Sequence, residues 1–446
     1  MRGLRSTLAL ILVLAGLGAY IYFVMSKQDD SGPKLEKVFV GLDPAKVEEI
    51  RIKSESGEVT TVKKGSDGWQ IVSPGTGKAS ESEISSVTSA LEQIDVSRVL
   101  EENPTDLKEY GLDTPRIDVE FKSTDSKSAG HLLMGSKTAT GGGLYAKCSD
   151  QTRVFLISGF HETSFNKKSF DLRDKTLMTL DRSKVDGLEV TADGKSFQLA
   201  KAGEDWKLTK PLAVRADTSA AEGLVGRIET AQMKSIVTND ATPADLKKYG
   251  LDKPSASVTI NLGSAHATLL VGGKAGEDDV YVRDASKSLV ATVEKALADD
   301  VKKGVEDYRR KDLFDFRAFN ATRMEFTRDG KTVAFERVKA TDANGPDTWK
   351  RVSPTAADAD KDKIESLLTG LADIRAQSFT PTRANTGLDA PALTVVAKFD
   401  EGKKEERVSF GKSGKDVYAA TVDSGAAKID ADRFTEAIKT LDELSK

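Results

Sequence analysis

The side chains best suited to nucleophilic, metal or acid–base chemistry are narrow in kind: three histidines, one cysteine and 70 carboxylates among 446 residues. His131 and His266 fall in predicted strands at near-equivalent places, and His161 follows a strand at a loop or helix start. None pairs with another ligand at metal spacing. Cys148 cannot close an intramolecular disulfide or make a zinc site alone. It ends the alternating run Leu144-Tyr145-Ala146-Lys147-Cys148, which reads as a strand with a buried thiol. Gly411-Lys412-Ser413 has the ending of a phosphate loop, but Glu406 stands where the pattern needs its leading glycine. Gly75-Thr76-Gly77-Lys78 lacks both that glycine and the hydroxyl after lysine, and Gly141-Gly142-Gly143 reads as a hairpin loop. A glycosidase pair could be drawn from the carboxylates, but their abundance singles out no pair. We therefore assign no catalytic, cofactor-binding or metal-ligating residue and expect no cofactor.

The elements that would position any such chemistry repeat. Trp69, Trp206 and Trp349 are the only tryptophans; each is followed five residues later by a proline (Pro74, Pro211, Pro354) and eleven later by a helix-capping residue (Ser80, Asp217, Asp360). The tryptophans could stack on sugars, but their recurrence beside a predicted hairpin favours a core or hairpin-closing role. A second block reads Tyr110-Gly111-Leu112-Asp113-Thr114-Pro115, Tyr249-Gly250-Leu251-Asp252-Lys253-Pro254 and Thr386-Gly387-Leu388-Asp389-Ala390-Pro391. It has the form of a helix stop: a left-handed glycine, then a leucine packing back on Leu107 or Leu246, with Arg383 giving a weaker contact in the third copy. Asn103-Pro104, Thr242-Pro243 and Thr380-Pro381 would start the short helices so ended. A third block, Phe170-Asp171-Leu172-Arg173-Asp174-Lys175-Thr176-Leu177, returns as Asp307-Tyr308-Arg309-Arg310-Lys311-Asp312-Leu313. Its basic residues could grip an anion; we read it as closing the last helix of one unit and leading into the first strand of the next.

Each unit of about 137 residues opens with three short alternating runs, such as 50–53, 59–62 and 69–72, that predict antiparallel strands. A helix follows with Ile84, Val87, Leu91 and Ile94 on one face; Leu224, Val225 and Ile228, then Ile364, Leu367, Leu368 and Leu371, are its counterparts. After the short helix come more strands: 117–121, 132–134, 144–147 and 154–157. The expected fold class is α+β: an N-terminal transmembrane helix, then three tandem α+β repeats, each an antiparallel sheet with one long and one short helix. The expected boundaries are a cytoplasmic N-terminus at 1–7, a signal anchor at 8–25, a linker at 26–36, and repeats at 37–165, 166–305 and 306–446.

The anchor rests on the uncharged run Leu8 to Met25, whose eighteen residues span about 27 Å as a helix. Arg2 and Arg5 precede it and Tyr20, Tyr22 and Phe23 lie toward its far end, which orients the amino end inward. Apolar residues continue past the small-residue site Gly16-Leu17-Gly18, which disfavours cleavage. Sixty-six basic against 70 acidic side chains, a net charge of −4, exclude the electrostatic footprint of a nucleic-acid binder.

The three blocks in this order resemble the bacterial domain-of-unknown-function family 4340, over essentially everything from residue 37 onward. The third copy departs from the pattern at Thr386 and by an insertion around Lys339 to Pro346. The resemblance implies an envelope protein with an amino-terminal membrane segment, often associated with ABC-type transport or gliding-motility auxiliary systems, and brings no catalytic residues. The expected function is a membrane-anchored periplasmic scaffold or interaction protein at the bacterial inner membrane, partnered by that membrane through residues 8–25 and by permease components. The alternatives are an envelope enzyme acting on glycan and a periplasmic ligand-binding protein.

Overall fold

A computed structural model describes residues 35–124, 129–340, 346–380, 382–421 and 425–446. The chain forms two compact units that divide after Lys175. The first holds one nine-stranded sheet and the second holds two.

The three sheets share one strand order. In the first it runs Gly77–Lys78, Gly68–Ser73, Val59–Gly65, Val47–Lys53, Ile117–Ser123, Gly130–Lys137, Gly143–Cys148, Val154–Ser158 and Arg98–Glu101, antiparallel at every pairing. The chain thus meanders outward from one central strand, crosses by a helix to the far edge, and meanders back from the other side of that strand. The second and third sheets have edges Val214–Arg215 and Ser235–Thr238, then Ala357–Ala359 and Ser378–Thr380.

This corrects the expected fold class. The protein is mostly β, with 44% strand and 21% helix, rather than α+β with one long and one short helix per repeat. The excess strand comes partly from edge segments of two to four residues, such as Gly77–Lys78 and Arg98–Glu101, too short to show a period of two. The deficit of helix lies in the short elements. Only Thr242-Pro243 starts an α-helix, Pro243–Lys248, through a reciprocal Thr242–Asp245 capping box. In the first copy Thr105 replaces Ala244, and Asp106 Oδ1 takes the Lys108 amide at 2.9 Å; only a 3-10 turn, Lys108–Tyr110, remains. In the third copy residues 382–390 hold turns and no helix.

The long helices form where the caps stand: α1 (Glu81–Gln93), α2 (Thr218–Glu229) and α3 (Lys361–Ala372). Ser80, Asp217 and Asp360 each accept the amide three residues on, an interaction worth about 1 kcal/mol. Their predicted apolar faces are buried. A fourth long helix, α4 (Ala431–Leu444), packs on the third core through Phe434, Ala437 and Leu441. Trp69 and Trp349 join the first and third cores, and Trp206 is equally buried. The prolines five residues after them follow cis peptide bonds in all three copies.

The Gly-Leu-Asp blocks lie apart from these cores. Gly111, Gly250 and Gly387 take φ of 66°, 70° and 72°. Leu112 N donates to Leu107 O and Leu251 N to Leu246 O, as a helix stop requires. In the third copy Thr386 N and Oγ1 bond to Arg383 O instead. Tyr110 and Leu112 form a satellite cluster with Val154, and Leu388 one with Ala420 and Ala426. Tyr110 meets Tyr145 at 5.2 Å and Tyr249 meets Tyr281 at 4.6 Å.

Among the described residues no helix is long and apolar enough to cross a membrane. The expected anchor at residues 8–25 lies outside the described residues.

Candidate functional site

The basic block that follows each of the first two sheets folds as an extended strap. Ser80 N donates to Leu172 O and Asp174 N to Lys78 O, so that Arg173 bridges Ala79 at the edge of the first sheet. The same bonds recur as Asp217 N to Tyr308 O and Arg310 N to Arg215 O, with Arg309 bridging Ala216 at the edge of the second. Within the second unit the strap then reaches the third sheet's helix exit, where Asp312 bridges Arg375 and Ala376 N donates to Lys311 O. The block thus closes one sheet by pairing with its edge, and an extended segment replaces the helix end that the charges alone would suggest.

Where this strap passes from the second sheet to the third, the charges form one chain. Asp315 is shared between Arg215, 2.5 Å from its Oδ2, and Arg310, 2.6 Å from its Oδ1. Asp312 is shared between Arg310 at 3.8 Å and Arg375 at 2.8 Å. Glu406 underlies the turn: its carboxylate accepts the Asp315 and Phe316 amides at 2.8 and 2.9 Å. Burial pushes the Glu406 carboxyl above its usual range, outweighing those two amide donors. Cavities of about 430 and 370 Å³ flank Arg215 and Asp315.

The buried straps differ in how they hold their arginine. Arg309 is 3% exposed, lies 3.6 Å from the centre of the Phe379 ring and bonds Glu306 at 3.3 Å. Arg173 turns to its own sheet, where Nη2 donates to Thr76 O at 3.1 Å and the guanidinium fills the space a side chain at Gly77 would need. Burial lowers the Arg173 pKa from its ordinary value.

These geometries make the seam a joint between the second and third sheets. Each carboxylate of the seam is divided between two guanidiniums, and both Glu406 oxygens are taken by backbone amides.

The residues singled out first for chemistry lie apart. His131 Nε2 is 2.7 Å from Asp118 Oδ1 on the neighbouring strand. His266 is exposed on its strand, and His161 lies between Phe160 and Phe165 with its pKa lowered by burial. Cys148 is buried, which raises its thiol to about 12. Gly141 and Gly142 lie in the loop between two paired strands. Gly411 sits in a strand where a side chain would strike Thr386 O at 2.4 Å, so its glycine serves packing against the Gly-Leu-Asp block. Among the described residues no group of three or more His, Cys, Asp or Glu side chains could hold a metal ion.

Sequence reasoning noted Arg310 and Asp312 but missed Arg215, Asp315, Arg375 and Glu406. Arg215 and Asp315 are 100 positions apart, and Glu406 is 91 from Asp315. No local spacing marks such a set. Glu406 had drawn notice only as the residue that spoils a phosphate loop.

The family model described as Domain of unknown function (DUF4340) matches residues 69–211 and again 206–391. No curated protein matches the chain.

Proposed function

The chain belongs to the family of the Domain of unknown function (DUF4340), and from that premise we propose that it is a membrane-anchored, non-catalytic scaffold of the bacterial envelope. Residues 8–25 are its anchor in the inner membrane, the amino end is cytoplasmic, and the sheets stand in the periplasm. Permease components of an ABC-type transport system are the first partners to test. The observation that supports this reading is the seam of Arg215, Asp315, Arg310, Asp312 and Arg375. The cleft lined by Arg215, Arg310, Asp312, Asp315 and Arg375 spends its charges on joining two repeated sheets, and repeated modules offer broad surfaces for partners.

The test is gentle solubilisation of the membrane followed by affinity purification of the full chain. The scaffold reading expects a membrane protein enriched in constant ratio with the bait. Recovery of the chain alone from a wash-resistant preparation would remove it. Protease added to spheroplasts should digest the sheets while leaving cytoplasmic markers intact; protection of the sheets would overturn the placement.

A further inference from the structure

The sheet edge closed by a strap in the first two copies stands differently in the third. Ala79 and Ala216 lie under their straps at 0% and 4% exposure. Their counterpart Ala359 pairs with Trp349 in the same way but is only partly buried, and among the described residues nothing bridges its outer side. The positions equivalent to the strap-binding groups are the Asp358 carbonyl and the Asp360 amide. In the first two copies the former accepts from Asp174 or Arg310 and the latter donates to Leu172 or Tyr308. The charge on this edge has also reversed. Lys78 and Arg215 become Asp358, whose side chain is 91% exposed, with Lys350 at 3.9 Å as its nearest cation. Asp360 and Asp362 follow on the same segment, interleaved with Lys361 and Lys363, and Asp360 caps the helix as Asp217 does.

We infer that the third sheet's edge, Ala357–Ala359, is a docking site for an extended basic segment of a partner protein. An open edge strand templates pairing by backbone hydrogen bonds. The two straps within this chain show the register: an apolar or aromatic residue whose carbonyl takes the Asp360 amide, an arginine opposite Ala359, and a third residue whose amide meets the Asp358 carbonyl. The exposed Asp358 carboxylate adds attraction for a cation on such a segment, as Tyr308-Arg309-Arg310-Lys311 carries. Docking here deepens the scaffold reading and rests on it. A partner that co-purifies through another surface would leave that reading standing while removing this site.

The probe is a fluorescent peptide copying residues 308–313, titrated against the full-length solubilised protein and followed by anisotropy. Saturable binding is expected, weakened by about tenfold or more when the amide copying Arg310 is methylated, since one backbone bond is lost. Ala359→Arg, which adds bulk and like charge at a residue packed partly on the third core, should weaken it at least as much, with the thermal midpoint read beside it to separate lost binding from lost fold. Should that variant not fold, the methylated peptide alone decides. Absence of binding, or binding indifferent to methylation, would overturn the site. Self-association of the chain abolished by Ala359→Arg, with no peptide bound, would reassign the edge to a second copy.

Discussion

The indole Nε1 of Trp206 donates to Glu222 at 2.8 Å, and the same carboxylate takes Lys201 at 3.2 Å and Arg182 at 3.1 Å. Burial opposes its charge, but these three donors hold the Glu222 carboxyl below its usual range. Glu222→Ala leaves a buried indole N–H without an acceptor and should cost about 1–3 kcal/mol in chemical denaturation. Trp349 offers the comparison, because its Nε1 is buried with no partner among the described residues. Glu406 makes a second prediction at this scale. Its folded pKa is raised above the ordinary 4.5, so its contribution to stability is full below the unfolded value and is lost as pH rises through the folded one. The stability of the natural protein minus that of Glu406→Gln should therefore fall as pH climbs from 4.5 toward neutrality. A difference that rises over this window would show that the two amide bonds, and not burial, dominate.

At the scale of elements, close backbone approach decides which glycines matter. A side chain at Gly272 would lie 2.4 Å from Tyr249 O, a backbone atom fixed by the helix stop. Gly272→Ala should cost about 1–3 kcal/mol through overpacking. Gly223 in α2 has nothing within 4 Å, and Gly223→Ala should stabilise by about 0.5–1 kcal/mol. Thermal unfolding of the two variants should move in opposite directions. The helix stops, the caps at Ser80, Asp217 and Asp360 and most long strands were legible in the sequence because each follows a local rule of period or capping. Gly272 and Gly411 were not legible as partners of the helix stop, since nothing local brings a strand glycine beneath a loop glycine 22 or 24 residues earlier. The edge strands failed for another reason: two or three residues carry no pattern, and their pairing is settled by the strap and sheet around them. The third short helix failed because a capping signal at Thr380 is outweighed by pairing of Ser378–Thr380 with Gly425–Ile429.

At the scale of the molecule, the question is whether neighbouring sheets behave as one cooperative body. In tandem-repeat proteins stability divides into the intrinsic term of each repeat and the term at each interface. The interface between the second and third sheets is unusual in resting on charges shared in series, from Arg215 through Asp315, Arg310 and Asp312 to Arg375. These side chains are 26–58% exposed, so any one pair contributes about 0–1 kcal/mol. Their effect lies in the network and in the strap hydrogen bonds that fix its geometry. Each sheet carries a single tryptophan, which allows the coupling to be read directly. Chains retaining only Trp206 or only Trp349, with phenylalanine at the other two positions, give a reference pair of unfolding midpoints in urea, whose difference carries the unequal cost of replacing each tryptophan. Adding Asp312→Ala and Asp315→Ala to both chains leaves three guanidiniums facing one another and removes every carboxylate shared along the series. The difference between the two midpoints should then widen, because mutual repulsion now opposes the contact that linked the sheets. An unchanged difference after both substitutions would place the coupling in the backbone strap and Arg309–Phe379 contact. In that case the charges would be a consequence of the joint and not its cause.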